Sequence, residues 1–252
     1  MATPPTTFGP LLARLWRFGR AELGALAALL IATVGLLAFF ELADEMSEAD
    51  GHGTDALVLA FFRPNVVAPH DALGPRWFEY AVSEITTLGG VTNLTIIVVI
   101  ALLFLLLQRR IASALLVFFA VGGGVLLSES IKTLIGRDRP PLIYRAVETS
   151  NASFPSGHAM LSTITYLTLG ALLAQVMPQR RQKAFVFAVA ALLAALIGAS
   201  RVYLGVHWTT DVLAGWSLGA AWAMICWLAA WLLRRFLRRH PGPVTEPPVE
   251  GE

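Results

Sequence analysis

Cysteine is almost missing from this chain: Cys226 stands alone inside an apolar run, which excludes a disulfide framework and leaves it a packing role. Charge is scarce as well, at 14% Asp, Glu, Lys and Arg against 56% hydrophobic residues, and that balance excludes a soluble globular domain. Only two lysines occur, Lys132 and Lys183, so the 19 cations are overwhelmingly arginine. No internal repeat and no nucleic-acid-binding motif is present, and the short basic clusters are explained by membrane topology alone. What remains is an integral membrane protein built as one domain.

Its apolar runs divide into six expected spans of about the length a bilayer core requires. These are Leu23–Phe40, Val91–Leu107, Ile111 to about Ile131, His158–Met177, Ala184–Ala199 and Val212–Leu233. The first run exceeds a signal-peptide core, and Glu41-Leu42-Ala43-Asp44 is a poor cleavage site, so a retained span is expected. Residues 1–20 carry Arg14, Arg17 and Arg20 without an acid and read as a cytoplasmic segment with a disordered Pro/Thr-rich start. With both termini inside, 12 of the 19 cations fall in the cytoplasm, as the positive-inside rule asks. Residues 41–90 then form an acidic external loop containing two amphipathic pieces, Asp55–Phe62 and Pro75–Leu88. In the second, Trp77, Ala81, Ile85 and Leu88 share one helical face suited to a membrane interface. The domain proper is expected over 21–240, and 241–252 as a disordered cytoplasmic tail.

Five of the remaining cations, Lys132, Arg137, Arg139, Arg145 and Arg201, crowd the two other external loops against the insertion preference, which marks them as functional candidates. Between them, Asn151-Ala152-Ser153-Phe154-Pro155-Ser156-Gly157-His158 reads as a rigid loop that delivers a helix N-terminus. Ser156 is placed to cap that helix, and the unpaired amides at Gly157 and His158 suit an anion. His207 and Asp211 stand one helical turn apart, so the carboxylate can fix the imidazole tautomer and leave the other ring nitrogen free to attack. Glu129, three residues before Lys132, is placed to pair with it, and Trp208 reads as an interface aromatic. Arg137 is a candidate to assist the anion, which for a lipid would be a phosphate or headgroup, and Arg145 reads as a surface charge.

The pattern Lys132-x6-Arg139-Pro140, Pro155-Ser156-Gly157-His158 and Ser200-Arg201-x5-His207-x3-Asp211 resembles the three-part signature of the type 2 phosphatidic acid phosphatase superfamily of lipid phosphate phosphatases, matching all eleven positions. The likeness spans about residues 85–235. It implies an all-α, polytopic membrane protein with six transmembrane helices and an external active site on the periplasmic or extracellular face of a plasma (inner) membrane. It further implies His207 as the nucleophile, Asp211 as its orienter and His158 as the acid that protonates the leaving oxygen and later activates water. Lys132, Arg139, Ser156, Gly157 and Arg201 would hold the phosphate oxygens. No metal and no cofactor is implied. The expected substrate is a lipid phosphate or pyrophosphate arriving from the bilayer, such as phosphatidylglycerol phosphate, phosphatidic acid or a polyprenyl pyrophosphate. The alternative is a lipid phosphotransferase that passes the group from the same histidine to an acceptor other than water. The oligomeric state is not legible.

Overall fold

A computed structural model describes residues 8–46, 52–65, 71–147 and 151–239. The expected disorder of the first few residues and of the 241–252 tail lies outside these. Among the described residues the chain is all helical: α1 Phe8–Glu45, α2 His52–Phe62, α3 Arg76–Thr87, α4 Val91–Leu107, α5 Ile111–Ile135, α6 Gly157–Val176, α7 Arg180–Tyr203 and α8 Thr209–Arg239. Five helices are long and apolar enough to cross a membrane, with Glu22–Glu45 as the crossing part of α1. A sixth span is obtained if α3 and α4, bent by 42° at the break between them, are taken as one. The protein is therefore a multi-pass membrane protein.

The helices run past most of the expected boundaries, and at two places this matters. Apolar content marks where a helix meets lipid, whereas backbone hydrogen bonding carries it further into polar sequence. α5 continues one turn beyond Ile131 and ends on Gly136 at φ 63°, whose N–H bonds the Lys132 carbonyl at 2.9 Å. This left-handed cap is one that glycine adopts without strain, and it places Lys132 on the helix instead of in a loop. α7 likewise continues to Tyr203, so Arg201 rides on a helix.

α6 sits at the centre, packed against α5, α7 and α8, while α1 lies along α8. Close approach of α6 and α8 depends on Gly215 and Gly219, four residues apart on one face of α8. A Cβ at either would come within 2.8 Å of a carbonyl oxygen, that of Ser156 or of Met160. Phe154 is fully buried in the core cluster with Phe39, Ala120, Met160, Ile164, Ala214 and Leu218, so the loop before α6 is anchored from within. α3 turns Val82 and Thr86 inward and packs on α7, leaving Trp77, Ala81 and Leu88 of the expected apolar face pointing outward. The ends of α5 and α7 and the starts of α4, α6 and α8 meet at one end of the bundle.

Candidate active site

Chain direction alone brings the pieces together: α5 and α7 arrive at this end with Lys132 and Arg201 in their last turns, and α6 and α8 leave it with His158 and Asp211 in their first. His207 lies in the connection between α7 and α8 and is buried. That connection turns at Gly205, φ 68°, where a Cβ would sit 2.3 Å from the Tyr144 carbonyl oxygen; both conditions call for glycine.

The His207 Nδ1 nitrogen is 3.3 Å from Asp211 Oδ2. Because the carboxylate is an acceptor, this pairing assigns the proton to Nδ1 and leaves the lone pair on Nε2. Asp211 is itself held by its neighbours. Oδ2 also accepts from the Ser153 hydroxyl and, at 2.9 Å, from the Trp208 N–H, while Oδ1 accepts from Arg137 Nη1 at 2.5 Å. On the opposite side of the ring, Arg139 Nη1 stands 3.1 Å from Nε2. Its guanidinium is fixed by Asn151, through Nε to the carbonyl at 2.8 Å and Nη2 to Oδ1 at 2.7 Å, and by the Val206 carbonyl at 2.8 Å.

Lys132 pairs with Glu129 at 3.2 Å, as the i,i+3 spacing predicts. Its Nζ also lies 3.3 Å from where a Cβ on Gly157 would stand, so the ammonium is close beside the start of α6. Arg201 is buried, with Nη1 donating to Thr86 Oγ1 at 3.1 Å. His158 packs against the α3–α4 break, where a Cβ on Gly89 would be 3.5 Å from its Cδ2, and it lies within electrostatic reach of Arg201, His207, Lys132 and Arg139. All eight residues expected at the site thus gather at one point.

Several expectations need correction. Ser156 occupies the N-cap position of α6 but makes no side-chain cap bond; its N–H donates to the Asp211 carbonyl at 2.9 Å, and its buried hydroxyl has no partner among the described residues. That hydroxyl remains free to donate to an anion. Arg137 does not supply a cation toward the phosphate position, since its guanidinium is spent on two carboxylates, Asp211 and Asp55. Arg145 is more than a surface charge, because its Nε donates to the Pro140 carbonyl at 2.6 Å and braces the turn that carries Arg139. Trp208 donates to the Asp138 carbonyl at 2.9 Å. Sequence reasoning gave no role to Ser153 and Asn151, although both lie in the stretch it singled out, and it missed Thr86 and Asp55.

Burial pushes the His207 imidazole down to about 4, and the charges of Arg139 and Arg201 push the same way against the opposing hydrogen bond and charge of Asp211. Burial also lowers Arg139, to about 10, which leaves it cationic at neutral pH. The consequence for His207 has a definite sign. An ordinary histidine takes up its proton near 6.5, so between there and about 4 the folded protein keeps His207 neutral while the unfolded chain is protonated. Stability contributed by this residue is therefore complete above 6.5 and declines as pH falls toward 4. In 15N-histidine-labelled protein, with the His207 signal identified by its loss in His207→Asn, the ring is expected to remain neutral at pH 5.5; titration near 6.5 would contradict the burial argument.

A buried imidazole–carboxylate pair beside Arg139 and Arg201, with Lys132 at the start of α6, forms a cationic site able to take an anion at one end of a membrane helix bundle. Known proteins resemble the chain in sequence and fold. Residues 113–235, just under half of the chain, match the sequence model of the PAP2 superfamily. It is 43% identical over 98 residues to phosphatidylglycerophosphatase B of Bacillus subtilis, covering 37% of this chain and 46% of that protein. It is 32% identical over 101 residues to undecaprenyl-diphosphatase of Sulfolobus acidocaldarius, covering 38% and 45%. The chain thus spans about half the length of the curated relatives it matches. The crystal structure of a transmembrane PAP2-type phosphatidylglycerolphosphate phosphatase from Bacillus subtilis superposes with a TM-score of 0.68 at 27% identity, covering 85% of this chain and 98% of that one. Aquifex aeolicus LpxE shares the fold, with a TM-score of 0.50 at 23% identity over 68% of this chain and 93% of that one.

Proposed function

We propose that the protein is a membrane lipid phosphatase that hydrolyses a lipid phosphate or pyrophosphate through a phosphohistidine on His207. The observation that carries this reading is the environment of one ring: Nδ1 on Asp211 at 3.3 Å, Nε2 facing Arg139 at 3.1 Å. In this tautomer Nε2 accepts from Arg139 Nη1, and the lone pair can attack phosphorus once that N–H turns to the phosphoryl oxygens.

In this mechanism Lys132, Arg139 and Arg201, with the Ser156 hydroxyl and the amides at Gly157 and His158, hold the phosphate oxygens and stabilise charge as the transition state forms. His207 Nε2 forms a bond to phosphorus as the bond to the lipid oxygen breaks, and His158 gives that oxygen its proton. The lipid alcohol, or the lipid monophosphate from a pyrophosphate, then departs. Water attacks the phosphohistidine and gives a proton to His158, the N–P bond breaks, and inorganic phosphate leaves with His207 restored. The three cations supply the charge stabilisation that a divalent metal provides at other phosphoryl-transfer sites, so catalysis is assigned to the side chains without a metal.

Substrate reaches the site sideways, from the bilayer. An apolar groove of about 250 Å³ between α4 and α5, lined among others by Leu94, Val98, Phe118, Val121 and Leu161, starts at Val91, next in sequence to Gly89 and Gly90, where an added Cβ would come within 4 Å of His158. It suits an acyl or prenyl chain whose phosphate rests on the cations. The relatives' names supply the substrates to try: phosphatidylglycerol phosphate and undecaprenyl pyrophosphate, with phosphatidic acid alongside. Purified protein in mixed micelles is expected to release inorganic phosphate from at least one of these. Release from none would refute the reading, and transfer to a lipid acceptor without free phosphate would make it a transferase.

Orientation belongs to the same proposal: the site faces the periplasm or cell exterior, with both termini in the cytoplasm, following the cation distribution. In a Cys226→Ala background, Arg76→Cys is expected to react with a membrane-impermeant maleimide in intact cells, and Arg180→Cys only after lysis. Labelling of position 180 in intact cells would invert the topology.

A further inference from the structure

Asp55 belongs to α2, outside the matched residues 113–235, yet it is 1% exposed and tied to the nucleophile's partner. Its Oδ1 accepts from the Thr210 N–H at 3.0 Å, and its Oδ2 from the Thr210 hydroxyl at 2.6 Å and from Arg137 Nη2 at 2.9 Å. Arg137 Nη1 donates at 2.7 Å to Thr210 Oγ1 and at 2.5 Å to Asp211 Oδ1. The Trp208 ring lies 5.8 Å from the guanidinium carbon and covers it. At the far end of α2, Arg63 Nη2 donates to the Tyr203 carbonyl at 3.0 Å, so the helix is pinned at both ends to the segment that carries His207. Two buried carboxylates thus share one buried guanidinium, and the trio carries one net negative charge.

Taken alone, Arg137 and Asp211 would be a neutral pair, and the imidazole on the other oxygen would face little net charge. A histidine nucleophile becomes cationic as it bonds to phosphorus, and the negative charge across its Nδ1–H stabilises that change. We propose that Asp55 and Arg137 are positioning residues: Arg137 locks the Asp211 carboxylate in register, and Asp55 offsets the guanidinium so that Asp211 keeps its full charge toward His207. This rests on the proposed role of His207 and adds to it a charge relay from α2.

The charged and titratable groups facing His207 are Asp211 from α8, Arg139 from the α5–α6 connection, Arg201 from α7 and His158 from α6. None is altered by the variants that test the idea, which are Asp55→Asn, Arg137→Gln and the two combined, made in the full chain. On a short-chain phosphatidic acid, Asp55→Asn is expected to lower kcat by about 10- to 100-fold with KM changed less than about threefold, because the charge acts on the reacting ring and not on bound phosphate. Adding Arg137→Gln should restore kcat by about tenfold, since the unbalanced cation is then gone. A double variant as slow as Asp55→Asn, or slower, would overturn the proposal, because loss of mere structural ties only accumulates.

A second readout needs no turnover. In 15N-histidine-labelled protein Arg137→Gln should raise the His207 titration by a unit or more, and Asp55→Asn should lower it. An unmoved His207 in folded Arg137→Gln would likewise overturn the proposal, including where Asp55→Asn fails to fold. Absence of phosphate release by the unsubstituted protein would instead count against the phosphatase reading, with the titration still deciding on Asp55 and Arg137.

Discussion

His207→Ala is expected to abolish turnover, with kcat lower by at least about 10⁴, because the covalent route loses its attacking atom and the remaining groups bind phosphate without transferring it. The substitution removes a buried ring from a polar site and leaves a cavity, so the variant should be checked for an unchanged elution volume in detergent before its activity is judged. The matching positive result is chemical. Rapid acid-free quenching of unsubstituted protein with a 32P-labelled lipid phosphate should trap label on the protein in a bond stable to alkali and labile to acid, and His207→Ala should trap none. Activity should persist through extensive chelation. Retained turnover in His207→Ala, or activity lost to EDTA and regained with Mg²⁺, would displace the histidine mechanism.

His158→Ala is the second large effect, and it should depend on what is leaving. A lipid alkoxide departs only with a proton, and a positioned acid contributes roughly 10²–10⁴ in rate. An aryl phosphate with a good leaving group needs little of that help. The first phosphoryl transfer to His207, read in a single turnover, should therefore fall by that factor for a lipid monophosphate and by less than about tenfold for the aryl ester. Equal losses for both would assign His158 to binding, beside Lys132 and Arg201, and not to proton transfer.

Much of the fold was legible because membrane spans are written in runs of apolar residues, and the bounds of α4 match the expected second span, Val91–Leu107. The helix ends were less so. The turn of α5 that carries Lys132 and the turn of α7 that carries Arg201 lie in polar sequence, and their backbone bonding, not their hydropathy, makes them helical. At the site, the eight expected residues were recognisable from spacing because each helix end contributes a short, compact motif. Asp55 was not, since the 41–90 segment holds nine acids and spacing within one segment says nothing about contact with Thr210, 155 residues away. One signal was available: Asp55 is the only acid of the apolar piece Asp55–Phe62, and a carboxylate beside such residues is buried only with a partner. Arg137 was misjudged for a related reason. Arg137 and Arg139 lie two residues apart in an irregular loop, and only the fold decides which one meets carboxylates and which one His207.

The central position of α6 bears on how the protein is made. It is the least apolar of the candidate spans, half of its apolar window is buried, and Ser162, Thr163, Thr165 and Thr168 are all sequestered within the bundle. Hydroxyls of this kind give little incentive for a lone segment to leave the translocon for lipid, even where Ser162 and Thr163 fold back onto the Ala159 carbonyl. α6 gains its environment only when α7 and α8 have been synthesised and can enclose it. Since α8 also brings Asp211, the same event that secures the central helix completes the proposed site, and a chain still being inserted lacks the carboxylate that orients His207.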